Sequence, residues 1–204
     1  MPRRYTLGKR AEQHAATRAR IVAATLDVYR RDGFGAASTT AVAAAADVAP
    51  ATVRNHFPTQ ADLAAAAAQA VLVDSGMPDE SMFAGMDVVG ARVAQLAAEI
   101  ARFFERSASW WAIIQRDRAL AAAWSGLEAR YYDDLGRLAA TALAPDGRDA
   151  DPATVATVVN IVGGALYFAL RGTGLSSDDA VELECSLLLP WLERGQSGSI
   201  RPIV

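Results

Sequence analysis

The chain contains one cysteine, Cys185, and two histidines, His14 and His56, in 204 residues. A single thiol excludes an internal disulfide and a thiolate metal cluster, and two histidines, both within the first sixty residues, leave little for histidine-centred catalysis. No Gly-rich phosphate loop, HExxH pair or carboxylate–histidine cluster is present. No catalytic residue, metal site or cofactor is therefore expected, and a helical carboxylate enzyme is the remaining enzymatic reading. The apolar run 155–170 is shorter than the ~20 residues of a bilayer span and is interrupted by Asn160, Gly163 and Gly164. The N-terminus is basic and polar, unlike a signal peptide. A cytoplasmic protein with no membrane partner is expected. Strand-like alternation of Val, Ile and Thr is also missing, and alanine dominates instead.

What is present is hydrophobic content of 52% with 21% charged residues, the balance of a globular chain. The net charge of −3 is unevenly spread. Residues 1–60 carry nine Lys and Arg against four Asp and Glu, and the remainder carries 11 against 19. A basic segment on an acidic body suits a polyanion at one end only. Chance clustering on a solvated face, or a membrane-surface or interaction module using that segment, is the competing reading.

The spacing of Ile21, Ala24, Thr25, Val28 and Tyr29 predicts a helix over 17–32, stopped by Gly33 with Phe34 as its apolar contact. Ser38 or Thr39 caps a second helix carrying Val42, Ala43 and Ala46 inward, and Pro50 opens a third that ends near Phe57-Pro58. A fourth spans 60–73. Beyond a break at 74–86, helices are expected at 88–106, 110–118, 119–143, 153–171 and 177–194, with a loop at 144–152 and a frayed tail after Gly195. Short second and third helices joined by a tight turn make a helix-turn-helix, with Ala43 at the crossing and Val42, Val48, Val53 and Phe57 inside. Asp47 occupies the turn position that favours a left-handed backbone, so a positive φ is expected there.

The residues Ile21-Val22-Ala23-Ala24-Thr25-Leu26-Asp27-Val28-Tyr29, Gly33-Phe34, Thr39, Val42-Ala43, Val48, Thr52-Val53, His56-Phe57-Pro58 and Leu63 resemble the TetR family of regulators. The resemblance is ungapped over 18–73 and beyond that rests on helical order. It implies an all-α protein of about nine helices: a DNA-binding head at 1–60, and an effector-binding and dimerisation body at 61–204. It further implies a repressor released from a palindromic operator by a small apolar or amphipathic molecule. By matching positions, Thr39 meets a phosphate, Thr40, Pro50, Ala51, Thr52, Arg54 and Asn55 face the major groove or its rim, and His56 approaches a phosphate. Arg54 suits guanine and Asn55 adenine. The chain departs from the family at Asp47, Arg54 and Gln60, where glycine, tyrosine and lysine are usual, and the last two commonly touch phosphates. Arg3, Arg4, Lys9 and Arg10 are either an arm reaching the minor groove or a disordered tail.

For the body, Phe104, Trp110, Trp111, Tyr131 and Phe168, with Arg116 as a polar anchor, are the candidate effector contacts, although aromatics at helical spacing also make ordinary core. Val158, Val162 and Leu166, with Gly163 and Gly164 allowing close approach, and Leu187 and Trp191 on the last helix, are the candidate homodimer interface. A helix buried inside the monomer is the competing reading.

Overall fold

The computed structural model describes residues 3–145 and 149–196, with side chains from Gly8 to Arg194 within those ranges. The tail from Ser197 and the loop residues 146–148 lie outside them, as do the side chains of Arg3 and Arg4. Ten α-helices and two 3-10 turns, and no strand, occur among the described residues. They are α1 Arg3–Asp32, α2 Thr39–Ala45, α3 Pro50–His56, α4 Gln60–Ser75, α5 Val89–Arg116, α6 Arg118–Ala123, α7 Ser125–Leu143, α8 Pro152–Val162, α9 Ala165–Gly172 and α10 Ser177–Gln196. The chain divides into two compact units, one of residues 1–74 with 109–128, the other of 75–108 with 129–204.

In the first unit, Ile21, Ala24, Thr25, Val28 and Tyr29 are buried along one face of α1, as their spacing requires. Gly33 takes a φ of 84°, and its amide donates to the Tyr29 carbonyl at 3.2 Å, closing the helix. α1 begins fourteen residues before the expected Thr17, so Lys9 and Arg10 stand exposed on a helix and not on an extended arm. Residues 3–16 lack an apolar stripe, but Ala11, Glu12, Gln13, Ala15 and Ala16 are strong helix formers that need no core.

Ser38, not Thr39, caps α2, its hydroxyl accepting from the Ala41 amide at 3.1 Å. Asp47 has a φ of 49°, the positive value expected of the turn, and the Val48 amide returns to the Ala43 carbonyl at 3.0 Å. Pro50 starts α3 with its fixed φ and no unsatisfied N–H. Val42, Ala43, Ala46, Val53 and Phe57 are all buried in one core with the α1 face. Thr59 and Asp62 cap α4 reciprocally: the Thr59 amide donates to Asp62 at 3.0 Å and the Asp62 amide to the Thr59 hydroxyl at 3.1 Å. The end of α5, α6 and the start of α7 complete this unit, burying Trp110, Leu120 and Trp124.

The second unit buries Leu96, Ile100, Phe103 and Phe104 of α5 with Leu135 of α7, Val158 and Val162 of α8, Tyr167 of α9 and Leu188 of α10. Two expectations fail here. The expected helices 88–106 and 110–118 are one continuous α5, Val89–Arg116, and Ser107, in the expected gap between them, donates its hydroxyl back to the Phe103 carbonyl at 2.8 Å within the helix. The stretch 153–171 is two helices, broken where Gly164 adopts a φ of 112°. On length and mean hydropathy alone, 152–172 is apolar enough to cross a bilayer, at 21 residues and 1.8.

The glycines of that break face their own unit. A Cβ on Gly164 would lie 2.5 Å from Phe104 Cζ, and one on Gly163 would lie 2.3 Å from the Val159 carbonyl oxygen. They allow α8 and α9 to turn over Phe104 and do not form a groove for a partner helix. Val158 and Val162 are likewise 0% and 1% exposed within the single chain, so neither has surface left to offer a second copy. Of the interface candidates, Leu166 and Trp191 are half-buried and Leu187 is 54% exposed, with Leu183 one turn before it also exposed.

Candidate nucleic-acid interface

α3 carries its apolar residue inward and its polar ones outward. Val53 is buried, while Pro50, Ala51, Arg54 and Asn55 are exposed and Thr52 and His56 half-buried. Among the described residues Arg54 and Asn55 make no side-chain hydrogen bond or ion pair, so a guanidinium fork and an amide stand free on one short helix. At the N-terminus of α2, Ser38 performs the capping, which leaves the half-buried Thr39 hydroxyl and the exposed Thr40 unengaged in the first turn. The first-turn amides of such a helix favour phosphate. Gln60 is exposed but engaged: its side-chain amide donates to the Ala37 carbonyl at 2.8 Å and ties the start of α4 to the segment before α2.

His56 does not stand alone. Its ring packs on His14 of α1 with centroids 4.1 Å apart, its Nδ1 is buried without a partner, and Arg18 lies over Phe57 at 4.7 Å. Burial lowers the His56 pKa, and the nearby His14 and Arg18 push it the same way. His14 and Arg18 are not evident from the sequence pattern because they precede the expected stripe of α1. Their signal is the i, i+4 spacing that puts both on one helix face.

The effector candidates fall into two sets. Trp110, Trp111 and Arg116 belong to the first unit, and Phe104, Tyr131 and Phe168 to the second. In the first, Trp110 packs on Trp124 at 5.5 Å under Arg30, and Arg116 lines an open cavity of about 420 Å³ with Tyr29, Ile113, Asp117 and Arg118. In the second, Phe104 meets Phe168 at 4.8 Å and Tyr131 at 5.9 Å, with Phe103 and Tyr167 joining the same cluster. The Tyr131 hydroxyl donates to the Gly163 carbonyl at 3.2 Å, at the helix break. Glu184 is a residue that the sequence pattern did not single out. It sits on the inward stripe of α10 between Ala180 and Leu188, 1% exposed, with Oε1 unpartnered and burial raising its pKa to about 7. An acidic residue interrupting an apolar i, i+4 row is the signal that could have found it.

Residues 21–67 match the family model of bacterial regulatory proteins, tetR family. A search of curated protein sequences returns no match. Among solved structures, the multidrug binding protein EbrR complexed with imidazole is 23% identical, covering 83% of this chain and 93% of its own, with a TM-score of 0.53. A TetR/AcrR-family transcriptional regulator from Thermobifida fusca is 21% identical over 90% of this chain and 98% of its own, TM-score 0.56. A putative fatty acid metabolism regulator from Clostridium perfringens is 12% identical over 90% of this chain and all of its own (100%), TM-score 0.56. At these identities the structural likeness is one of fold, and the match to the tetR family model is confined to residues 21–67.

Proposed function

We propose that this chain, a DNA-binding transcriptional regulator of the tetR family, works as a homodimeric repressor that leaves a palindromic operator when a small molecule binds its body. The division of labour runs near residue 60, with the head at 1–60 reading DNA and 61–204 sensing and dimerising. Carrying the DNA-reading half of this proposal is the free outer face of α3, where Arg54 and Asn55 have no partner on a helix whose turn and core are built around Asp47 and Val53. Arg54 in fork geometry matches the O6 and N7 of guanine, and Asn55 matches adenine. Thr39 and His56 hold register on phosphates, Thr40 and Thr52 stand at the major groove or its rim, and Pro50 and Ala51 permit close approach.

A twofold dimer supports the palindrome, since two recognition helices ~34–36 Å apart meet successive major grooves. Leu183, Leu187 and Trp191 of α10, with Leu166 of α9, offer apolar surface for that contact. For the effector, an apolar or amphipathic molecule fits the aromatic content around Phe104, Tyr131 and Phe168. EbrR is complexed with malachite green in one of its structures, which gives the same fold a precedent for an aromatic ligand. Ligand binding then shifts α4 and with it the spacing of the two heads.

The test is a salt titration of binding to duplex DNA with and without competitor. A specific regulator keeps a sequence preference that survives competitor while log K falls linearly with log salt. Binding that competitor abolishes at every salt concentration would remove the operator from the proposal.

A further inference from the structure

Two imidazoles, a guanidinium and an unpartnered ring nitrogen meet on the head, on the side of α3 where its C-terminal turn passes α1. His14 and His56 lie ring to ring at 4.1 Å and 39°, and Arg18, one helical turn beyond His14, covers Phe57. Nothing in the fold requires histidine here. His14 is exposed and is no part of the buried core of the head. Among the described residues no acidic side chain bonds to or pairs with either ring, and Glu12 of α1, two positions before His14, lies off the i, i+4 face that carries His14 and Arg18. α2 carries no titratable side chain between Thr39 and Ala45, the only acid in the first turn of α4, Asp62, is engaged by Thr59, and α3 adds only the further cation Arg54. The site is therefore electrostatically incomplete: it concentrates groups that favour an anion and supplies none.

Building on the DNA-binding reading of the head, we propose that His14, His56 and Arg18 form a phosphate clamp that takes up a proton when DNA binds. In the free protein a charge on the His56 ring meets partial burial first, then the neighbouring His14 and the Arg18 cation, all of which oppose it. A backbone phosphate seated against the rings reverses the balance. It attracts the charged form, because the protonated ring adds a positive charge beside the phosphate that the neutral ring lacks. The proton comes from solvent: an O–H bond of hydronium or of the buffer acid breaks, and an N–H bond forms on the His56 ring. His14 is thereby a DNA-contacting residue outside the helix-turn-helix, held in place by the N-terminal extension of α1.

The sign is fixed by the two states. Between the lowered pKa of the free head and the raised one of the complex, binding consumes a proton, so affinity rises as pH falls. The experiment measures the dissociation constant of the full-length protein for a duplex of roughly 30 base pairs. The duplex is one recovered from a random pool, at constant salt, read at about pH 6 and about pH 8. The expected result is tightening of up to about tenfold per pH unit for each proton taken up, and so up to about a hundredfold when both heads of a dimer engage one duplex. Calorimetry in buffers of different ionisation enthalpy should report net proton uptake. A His14→Gln/His56→Gln double variant should bind with a flat pH profile while retaining its circular-dichroism spectrum. His14→Gln alone should weaken binding at the lower pH and leave it little changed at the higher. Flat wild-type affinity across that range, or a slope that persists in the double variant, would overturn the clamp while leaving the DNA-binding reading intact. Absence of binding to any duplex at either pH would overturn both.

Discussion

Asp117, at the start of α6, accepts a hydrogen bond at 2.8 Å from the backbone amide of Phe34, which lies 83 residues earlier in the chain. The same carboxylate accepts from the amides of Ala119 at 3.1 Å and Leu120 at 3.0 Å, so one side chain caps α6 and pins the turn that follows α1. These amides, Phe34 first, hold the Asp117 pKa below the usual carboxylate range. Asp117→Ala should cost about 1–3 kcal/mol by loss of the cap and the tether. Its depressed folded pKa gives stability that is complete above the unfolded value and lost as pH falls through the folded one. Denaturant unfolding of wild type and variant should therefore differ at neutral pH and converge in strong acid.

The turn of the helix-turn-helix makes a second expectation. Asp47 tolerates its φ of 49° at some strain. Asp47→Gly should be neutral or slightly stabilising, whereas Asp47→Val, β-branched in the left-handed region, should lose ~1–3 kcal/mol. Thermal melting of the two variants separates them.

Gly164 is constrained twice, by its φ of 112° and by the Phe104 ring that a Cβ would meet at 2.5 Å. Gly164→Ala should destabilise by about 2 kcal/mol or more. Combining it with Phe104→Leu should recover part of that loss and never all, because trimming the ring leaves the backbone strain untouched. Complete recovery would mean that the backbone conformation costs nothing.

Glu184 yields the clearest pH signature. Its folded pKa, about 7, lies above the usual carboxylate value of 4.5, so the unfolded chain releases the proton first. The penalty is absent in acid, grows as pH rises between those two values, and levels off above the folded one at about 3 kcal/mol. Glu184→Gln, neutral throughout, should melt higher than wild type at slightly alkaline pH and show a much smaller difference near the carboxylate range. An equal difference at both pH values would mean that the carboxyl of Glu184 does not titrate on unfolding.

These sites show why the head was legible in the sequence and the body less so. The head rests on local rules: Gly33 and Ser38 end and start helices, Pro50 fits a first turn, and Asp47 is among the few side chains that tolerate the left-handed turn position. Each acts within a few residues, so spacing alone reveals it. The extension of α1 was hidden because an exposed helix has no apolar period. Ser107 and Gly163-Gly164 suggest the wrong sense because their effect depends on partners far along the chain. The Ser107 hydroxyl could turn inward or break the helix, and a pair of glycines accommodates an intramolecular ring as readily as a second subunit. Val158 and Val162 have the same ambiguity: an apolar row shows burial without showing by what.

The outward face of α3 carries the DNA-reading role, and selection of bound duplexes from a randomised pool examines that face directly. Wild-type protein should enrich a twofold-symmetric sequence with a guanine at matching positions of each half. Arg54→Ala should lose about 1–3 kcal/mol on that sequence and relax the preference at the guanine alone. A pool that emerges unenriched, or an Arg54→Ala variant that recovers the same sequence with the same guanine, would contradict the assignment of α3 as the element that reads DNA.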